Sequence, residues 1–146
     1  MPTNKLQMNS PLFTCVFIAD DDEDDRYLLA RAFAEHSPEC RLQFAQDGMA
    51  LLDALSQTEV APALILLDLN MPRLNGFEAL KVLRQHPLYQ DTPIVMLTTS
   101  NEHGDRQQAS ALGATDFITK PMNGAILGEI VDQLRSKWLV GRCIDR

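Results

Sequence analysis

The chain has 146 residues, of which 45% are hydrophobic and 23% are charged, which suits one domain with a well-buried core. Its net charge is −7, and six consecutive acids at residues 20–25 account for all but one of those charges. The acidity is therefore local, and because no basic cluster occurs, we expect no binding to nucleic acid.

Five short apolar runs predict five β-strands. Most of them are continuously apolar, which is typical of strands that are covered on both faces of a parallel sheet. The predicted strands cover residues 14–19, 42–44, 63–67, 94–98 and 115–119.

Apolar residues spaced three and four apart predict a helix after each strand. The last helix is the clearest, because Ile126, Ile130, Leu134 and Trp138 are four residues apart. Gly113 suits the C-terminal cap of the fourth helix. Strands that alternate with helices predict an α/β fold, a doubly wound parallel sheet with helices on both faces. The predicted helices cover residues 24–35, 49–57, 77–85, 103–112 and 124–138.

The cysteines and the hydropathy indicate the cellular compartment in which the protein is expected. Three cysteines, Cys15, Cys40 and Cys143, are an odd number without metal-like spacing, so we expect no disulfide framework, and Cys15 should be a plain core residue. Residues 1–12 lack a signal-peptide pattern, and no apolar run approaches the roughly 18 residues of a membrane span. The expectation is a soluble, cytoplasmic protein without a membrane partner.

Polar side chains stand where the apolar runs end. Asp20 and Asp21 follow the first strand, Asp68 follows the third, Thr98 ends the fourth, and Lys120 follows the fifth. The carboxyl ends of parallel strands meet at one edge, where open α/β sheets bind ligands. Three carboxylates, a hydroxyl and an ammonium at that edge suit a divalent cation and a phosphoryl group.

Each of these residues also has an ordinary structural explanation. The acidic pair could simply complement a helix dipole, and residues 22–25 are expected to face solvent at the start of the first helix. Asp68 could be a turn residue, Thr98 a plain strand residue and Lys120 a solvated surface residue. The combination at successive strand ends, rather than any single residue, carries the functional interpretation.

Asp68 is the candidate nucleophile. Residues 70–72 cannot continue a strand and Gly76 opens the next helix, so the loop should leave Asp68 accessible at the sheet edge. An ionised carboxylate can attack a phosphoryl group and form an aspartyl phosphate. Lys120 precedes Pro121, and a cis bond in a tight turn there would aim the ammonium over the pocket.

The chain resembles a response-regulator receiver domain over roughly residues 12–138. The resemblance implies a five-stranded parallel sheet of the flavodoxin-like order 2-1-3-4-5. It also implies an N-terminal extension at 1–11, a receiver domain at 12–139 and a tail at 140–146. The segments that carry it are Ala19-Asp20-Asp21-Asp22, Leu66-Leu67-Asp68-Leu69-Asn70-Met71-Pro72, Met96-Leu97-Thr98-Thr99 and Phe117-Ile118-Thr119-Lys120-Pro121.

The resemblance implies a phosphoacceptor and a metal site. It makes Asp68 the phosphoacceptor and makes Asp20 and Asp21 ligands of Mg²⁺ or Mn²⁺. Asp68 and the backbone carbonyl of Asn70 would complete the protein's share of the ligands.

The resemblance also implies the phosphoryl contacts and a switch. Thr98 and Lys120 would contact the phosphoryl group, and Phe117 occupies the aromatic switch position, which swings inward together with a shift of Thr98. Many relatives have Ala or Gly after this threonine, whereas this chain has Thr99, whose bulk could hinder the swing.

The implied function is that of a single-domain response regulator. It would accept a phosphoryl group from a sensor histidine kinase or a histidine phosphotransfer protein. Its sequence also resembles those of regulators that are paired with phytochrome-type kinases. The resemblance further implies a homodimer through helix 4, strand 5 and helix 5, with Trp138 as an apolar anchor or, alternatively, as a residue that closes the core.

Two other function classes fit the sequence less well. An aspartate-nucleophile phosphohydrolase needs a second Asp two residues after the nucleophile, and Asn70 stands there. A flavodoxin-like flavin carrier needs a phosphate loop after the first strand, where six acids would repel a phosphate. We therefore expect a phosphoaccepting module rather than a turnover enzyme.

Overall fold

The computed structural model of the chain describes residues 15–121 and 123–142. Residue 14 of the first predicted strand, the predicted extension at 1–11 and Cys143 lie outside this part of the chain. The strands are β1 (Val16–Ala19), β2 (Leu42–Ala45), β3 (Leu64–Leu67), β4 (Ile94–Thr98) and β5 (Asp116–Thr119). The α-helices are α1 (Glu23–His36), α2 (Gly48–Ser56), α3 (Gly76–Gln85), α4 (His103–Ala111) and α5 (Gly124–Leu134).

The strands form one parallel sheet in the order β2-β1-β3-β4-β5, so the predicted doubly wound α/β fold of order 2-1-3-4-5 is confirmed. Successive strand residues point to opposite faces of the sheet. On one face, Val16 and Leu66 pack against α1 and α5, and on the other, Phe17 and Ile65 pack against α2 and α3. Both faces are covered, which explains why β1 and β3 are continuously apolar.

The strand register places two of the candidate site residues, Asp20 and Asp68, at the same sheet edge. Ala19 pairs with Leu67, so Asp20 and Asp68 leave the neighbouring strands β1 and β3 side by side. The Asp68 N–H donates to the Ala19 carbonyl oxygen at 2.9 Å, which holds the two strand ends together. The chain leaves β1 and β3 toward opposite halves of the sheet, and a crevice for ligands forms at such a point.

The last helix differs from its prediction. The α-helix ends at Leu134 and continues as a π-helical turn over Arg135–Leu139, closed by a 3.0 Å hydrogen bond from the Val140 N–H to the Arg135 carbonyl. Leu134 and Leu139 are both buried although they are five residues apart. A wider turn lets both face the core, which a regular helix would not allow.

Two of the cysteines have different environments. Cys15 is buried as expected but is disulfide-bonded, so the expectation of a plain core residue is wrong there. A count of cysteines carries no information about which of them come close in the fold. Cys40 is a free thiol, and burial raises its pKa to about 12, so it is held in the unreactive protonated form.

Two further expectations concern the fourth helix and membranes. Gly113 has a φ of 99°, so the predicted glycine cap after α4 is confirmed. Within residues 15–121 and 123–142, no helix combines the length and the apolar character that crossing a membrane requires.

Candidate functional site

Three acidic side chains meet at the carboxyl ends of β1 and β3. One carboxylate oxygen each from Asp20, Asp21 and Asp68 lies within 4.8 Å of the other two. Asp20 and Asp68 are buried, whereas Asp21 is exposed. Hard divalent cations take such oxygen donors, so the three acids picked out from the sequence could hold one.

Asp68 is held in place from two sides. Its Oδ1 accepts a 2.7 Å hydrogen bond from the Leu69 N–H, and its Oδ2 lies 3.4 Å from the Lys120 ammonium. The residue is 8% exposed, which leaves part of the carboxyl group open at the sheet edge. A carboxylate fixed in this way is oriented for attack on a group that enters from solvent.

Lys120 crosses the site from β5. Its Nζ donates to Asp20 Oδ2 at 2.6 Å and to Asp25 Oδ2 at 2.7 Å. Burial alone would lower the pKa of the ammonium, but the hydrogen bonds to Asp20 and Asp25 raise that pKa above its ordinary value. Lys120 therefore stays charged across the physiological range and offsets part of the acidic charge.

The backbone at Lys120 differs from one expectation. No cis peptide bond occurs in the described residues, so the Lys120–Pro121 bond is trans and the idea of a cis turn is wrong. The Lys120 N–H instead donates to the Thr98 carbonyl oxygen at 2.6 Å, which continues the parallel ladder past β5. From there the long side chain reaches the acids that follow β3 and β1, so its reach rather than a cis bond places the ammonium.

The carboxyl group of Asp20 ionises less readily than that of an ordinary aspartate. Burial raises the pKa of its carboxyl to about 6; the hydrogen bond from Lys120 opposes that rise, and the nearby charge of Asp68 adds to it. The Asp22 N–H donates to Asp20 Oδ1 at 2.9 Å and so fixes the side chain. Displaced acid pKa values of this kind are common at functional sites.

Asp25 is a site residue that sequence reasoning missed. The sequence predicts that residues 22–25 face solvent at the helix start, but the Asp25 side chain is 19% exposed and contacts Lys120. Asp22 and Asp24 are exposed as expected. Asp25 precedes the buried Leu29 by four residues, and this spacing places both on the core-facing side of α1.

The other predicted residues lie around this centre without joining it. Thr98 is fully buried at the end of β4, and its Oγ1 accepts a 3.4 Å hydrogen bond from the Ser100 N–H. Asn70 and Thr99 are exposed. Among the described residues, the carboxylates and the ammonium thus contact one another, whereas the Thr98 hydroxyl pairs with Ser100 rather than with Asp68.

Phe117 has a partner that the sequence did not reveal. It is buried in the core on the α4 side of the sheet, and the Arg106 guanidinium lies over its ring, 4.8 Å from the centroid. Arg106 also donates to the Phe117 carbonyl oxygen at 3.0 Å. This cation–π contact and hydrogen bond tie α4 to β5 at the proposed aromatic switch.

Gly76, the first residue of α3, lets that helix start directly against the strand end that carries Asp68. A Cβ there would collide with the Asp68 carbonyl oxygen and lie 2.9 Å from the Leu69 Cα. Because these are backbone atoms, we expect Gly76→Ala to lower the free energy of unfolding by about 1–3 kcal/mol in urea denaturation.

Gly104 in α4 provides the matched control for that substitution. Nothing lies within 4 Å of a Cβ built on it, so Gly104→Ala should be neutral or stabilise the protein by up to about 1 kcal/mol. Equal effects of the two substitutions would contradict the close approach at Gly76.

Known proteins are similar to this chain in sequence and in fold. A family model for the response regulator receiver domain matches residues 16–132. Response regulator Rcp1 of Synechocystis sp. is 30% identical over 129 residues, covering 85% of this chain and 88% of the relative. The phosphorylated cyanobacterial phytochrome response regulator RcpA matches with a TM-score of 0.79 at 30% identity, over 87% of this chain and 94% of that one. The Mn²⁺-bound form of Rcp1 gives a TM-score of 0.76 at 30% identity, over 86% and 94%.

Some relatives are longer than this chain. It is 32% identical over 138 residues to response regulator PleD of Caulobacter vibrioides but spans only 29% of that protein. Acceptance of a phosphoryl group on an aspartate is the general function of the matched family. With the family match covering most of its length, the chain belongs to the response-regulator receiver domain family.

Proposed function

We propose that Asp68 accepts a phosphoryl group from a sensor histidine kinase or a histidine phosphotransfer protein in two-component signalling. The observation that carries the proposal is the arrangement around this carboxylate. Its Oδ2 lies 3.4 Å from the Lys120 ammonium, and one of its oxygens lies within 4.8 Å of one oxygen each of Asp20 and Asp21. A nucleophile, a fixed positive charge and candidate metal ligands therefore meet at one sheet edge.

Asp68 acts as the nucleophile in this proposal. A carboxylate oxygen forms a bond to phosphorus while the bond from phosphorus to the donor, a histidine nitrogen or an acetate oxygen, breaks. An ionised carboxylate has no proton to lose, so the step needs no general base. Lys120 places its charge beside the oxygens on which negative charge accumulates, which is the main contribution a protein can make to phosphoryl transfer.

We infer that the cation is Mg²⁺ or Mn²⁺, held by the carboxylates of Asp20, Asp21 and Asp68 and by the Asn70 carbonyl. When bound, it would offset charge on the transferring phosphoryl group. The inference is supported by the three closely spaced carboxylates and by the Mn²⁺-bound form of the related Rcp1.

Thr98 and Phe117 are proposed to report the phosphoryl group to the surface. The Thr98 hydroxyl would donate to a phosphoryl oxygen, and the Phe117 ring would move inward as Thr98 shifts. The Arg106 guanidinium lies over the Phe117 ring and donates a hydrogen bond to the Phe117 carbonyl oxygen. The movement of the ring would therefore either break these Arg106 contacts or carry α4 with it.

Treatment with acetyl phosphate and Mg²⁺, followed by intact mass spectrometry, tests the proposed function. We expect one labile phosphoryl group per chain. Steady release of phosphate without an adduct would instead indicate a phosphohydrolase, and neither adduct nor turnover would fit a binding protein such as a flavin carrier. The phosphoacceptor is favoured over the hydrolase because the position that needs an acid is the amide Asn70.

Metal binding should weaken in acid because of Asp20. Its folded pKa of about 6 lies above its ordinary value of 3.8, so the metal-free native protein takes up this proton before the unfolded chain does. The charged form therefore costs stability above about pH 6, and that cost disappears as pH falls toward 4. A cation must displace the proton, so its affinity should fall by up to about tenfold per pH unit below pH 6.

Calorimetric titration with Mn²⁺ on both sides of this pKa checks the expectation. Asp20→Asn removes the titrating group and serves as the comparison, since it should bind weakly without the same pH dependence. A wild-type affinity that stays constant as pH falls through the pKa of Asp20 would contradict the assignment.

A phytochrome-type kinase is the proposed class of partner. The support is the similarity to RcpA, which is described as a phytochrome response regulator. The domain limits at 12–139 and the cytoplasmic location stay predictions from the sequence.

A homodimer through α4, β5 and α5 is proposed as the output state. A shallow groove on this face is lined by Phe117, Ile130 and Trp138, among others. We expect phosphorylation to raise the sedimentation coefficient to that of a dimer, and a monomer in both states would contradict this. Trp138 is half-buried against the core, so Trp138→Ala separates its two roles: an anchor loses the dimer, whereas a core residue loses unfolding free energy.

A further inference from the structure

We propose that Asp25 is a positioning residue for Lys120, one that restrains the ammonium on the α1 side of the site and opposes its transfer to a phosphorylated Asp68. This inference rests on the proposed phosphoacceptor function. Lys120 Nζ is 2.6 Å from Asp20, 2.7 Å from Asp25 and 3.4 Å from Asp68.

The distances rank the partners of the ammonium. A lysine has three N–H donors and no acceptor, so three carboxylates can each receive one. The two short hydrogen bonds go to residues that follow β1, and the long one goes to the nucleophile. In this state Lys120 is therefore held mainly by the loop after β1 and by the first turn of α1.

The helix start leaves the Asp25 carboxylate available for this contact. Asp25 is the third residue of α1, and its N–H donates to the capping Asp22 side chain at 3.1 Å. In a capping box the acid at this position would in turn accept from the N–H of the capping residue, as Glu78 does from Asn75 in α3. Here the Asp22 N–H donates to Asp20 instead, so the Asp25 side chain turns to Lys120.

Asp25 would keep its contact with Lys120 when a cation occupies the site. The carboxylates that could hold a cation are those of Asp20, Asp21 and Asp68, and Asp25 is not among them. A bound cation would draw Asp20 away from the ammonium but leave the Asp25 contact intact. A phosphoryl group on Asp68 must then compete with Asp25 for Lys120, and any contact that is stronger before phosphorylation than after it weakens the phosphorylated state.

The test compares Asp25→Asn with Asp24→Asn in the full chain. Both remove one negative charge from the same helix turn, but Asp24 is exposed and is not a Lys120 partner. The probe is beryllofluoride, which mimics an aspartyl phosphate, with Mg²⁺ at saturation. We expect Asp25→Asn to bind it more tightly by on the order of tenfold and to retain the acetyl phosphate adduct longer, whereas Asp24→Asn should match the wild type.

Two further variants separate positioning from a general structural effect. Asp25→Glu keeps the charge, so its affinity for beryllofluoride should return most of the way to the weaker wild-type value. In a Lys120→Met background, Asp25→Asn should change the beryllofluoride affinity no more than Asp24→Asn does, because the group that it restrains is gone. Mg²⁺ affinity should be the same in the two asparagine variants.

The outcomes distinguish this inference from the proposed function. If the wild type binds no beryllofluoride and forms no adduct, the phosphoacceptor proposal itself fails. If the wild type does both but Asp25→Asn matches Asp24→Asn, or binds the mimic more weakly, only the restraining role of Asp25 is overturned.

Discussion

Asp68→Asn is expected to abolish phosphorylation by acetyl phosphate completely. The amide cannot act as the nucleophile, but its oxygen can still accept the hydrogen bond that the Leu69 N–H now makes to Asp68, so the fold should survive. Intact mass spectrometry would show the unmodified protein alone, and circular dichroism would show the wild-type fold.

The control for Asp68→Asn is Asp24→Asn, which alters an exposed acid of the same sheet edge. This control should form the adduct as the wild type does. An adduct of undiminished yield in Asp68→Asn would mean that another side chain receives the phosphoryl group.

Lys120→Met is expected to have the largest effect on stability. Methionine keeps most of the apolar stem but removes the charge that pairs with Asp20 and Asp25 in a buried setting. Removing one partner of a buried ion pair typically costs about 3–5 kcal/mol, because the remaining charge is left uncompensated. Urea denaturation of the metal-free protein at neutral pH should show a loss of this size, and saturating Mg²⁺ should recover part of it.

The matched control is Lys81→Met on the exposed face of α3, which should change the free energy of unfolding by less than about 0.5 kcal/mol. Lys120→Met should still accept a phosphoryl group, because the nucleophile and the proposed metal ligands remain. Its α4 amide signals should no longer shift on phosphorylation. If Lys120→Met had the wild-type free energy of unfolding and the wild-type shifts of the α4 amide signals, both proposed roles of Lys120 would be contradicted.

The centre of the site could be predicted because it follows from backbone geometry. Continuous apolar runs mark buried parallel strands, and the residue after each run must emerge at the same sheet edge. The register confirms this for Asp20 and Asp68, which follow the paired residues Ala19 and Leu67. The same logic placed Lys120 at the edge, although its reach to β1 depended on a long side chain rather than on the backbone.

Side-chain partners that depend on helix phase were not predicted. Because six consecutive residues are acidic, their side chains do not indicate where α1 begins. Only the four-residue spacing to Leu29 distinguishes Asp25 from its exposed neighbours. Arg106 lies on a polar helix with few apolar residues to orient it, so its contact with Phe117 was not visible. The sequence does not indicate the wide turn after Leu134, because the apolar spacing fits a regular helix up to Trp138.

The location of the phosphoryl group tests the central claim most directly. Acyl phosphates are reduced by borohydride, which converts a phosphorylated aspartate to homoserine and leaves free carboxylates unchanged. After treatment with acetyl phosphate and Mg²⁺, tandem mass spectrometry of peptides should find homoserine at position 68 and aspartate at positions 20, 21 and 25. Homoserine at any of those three positions, or an adduct that resists borohydride, would contradict the account.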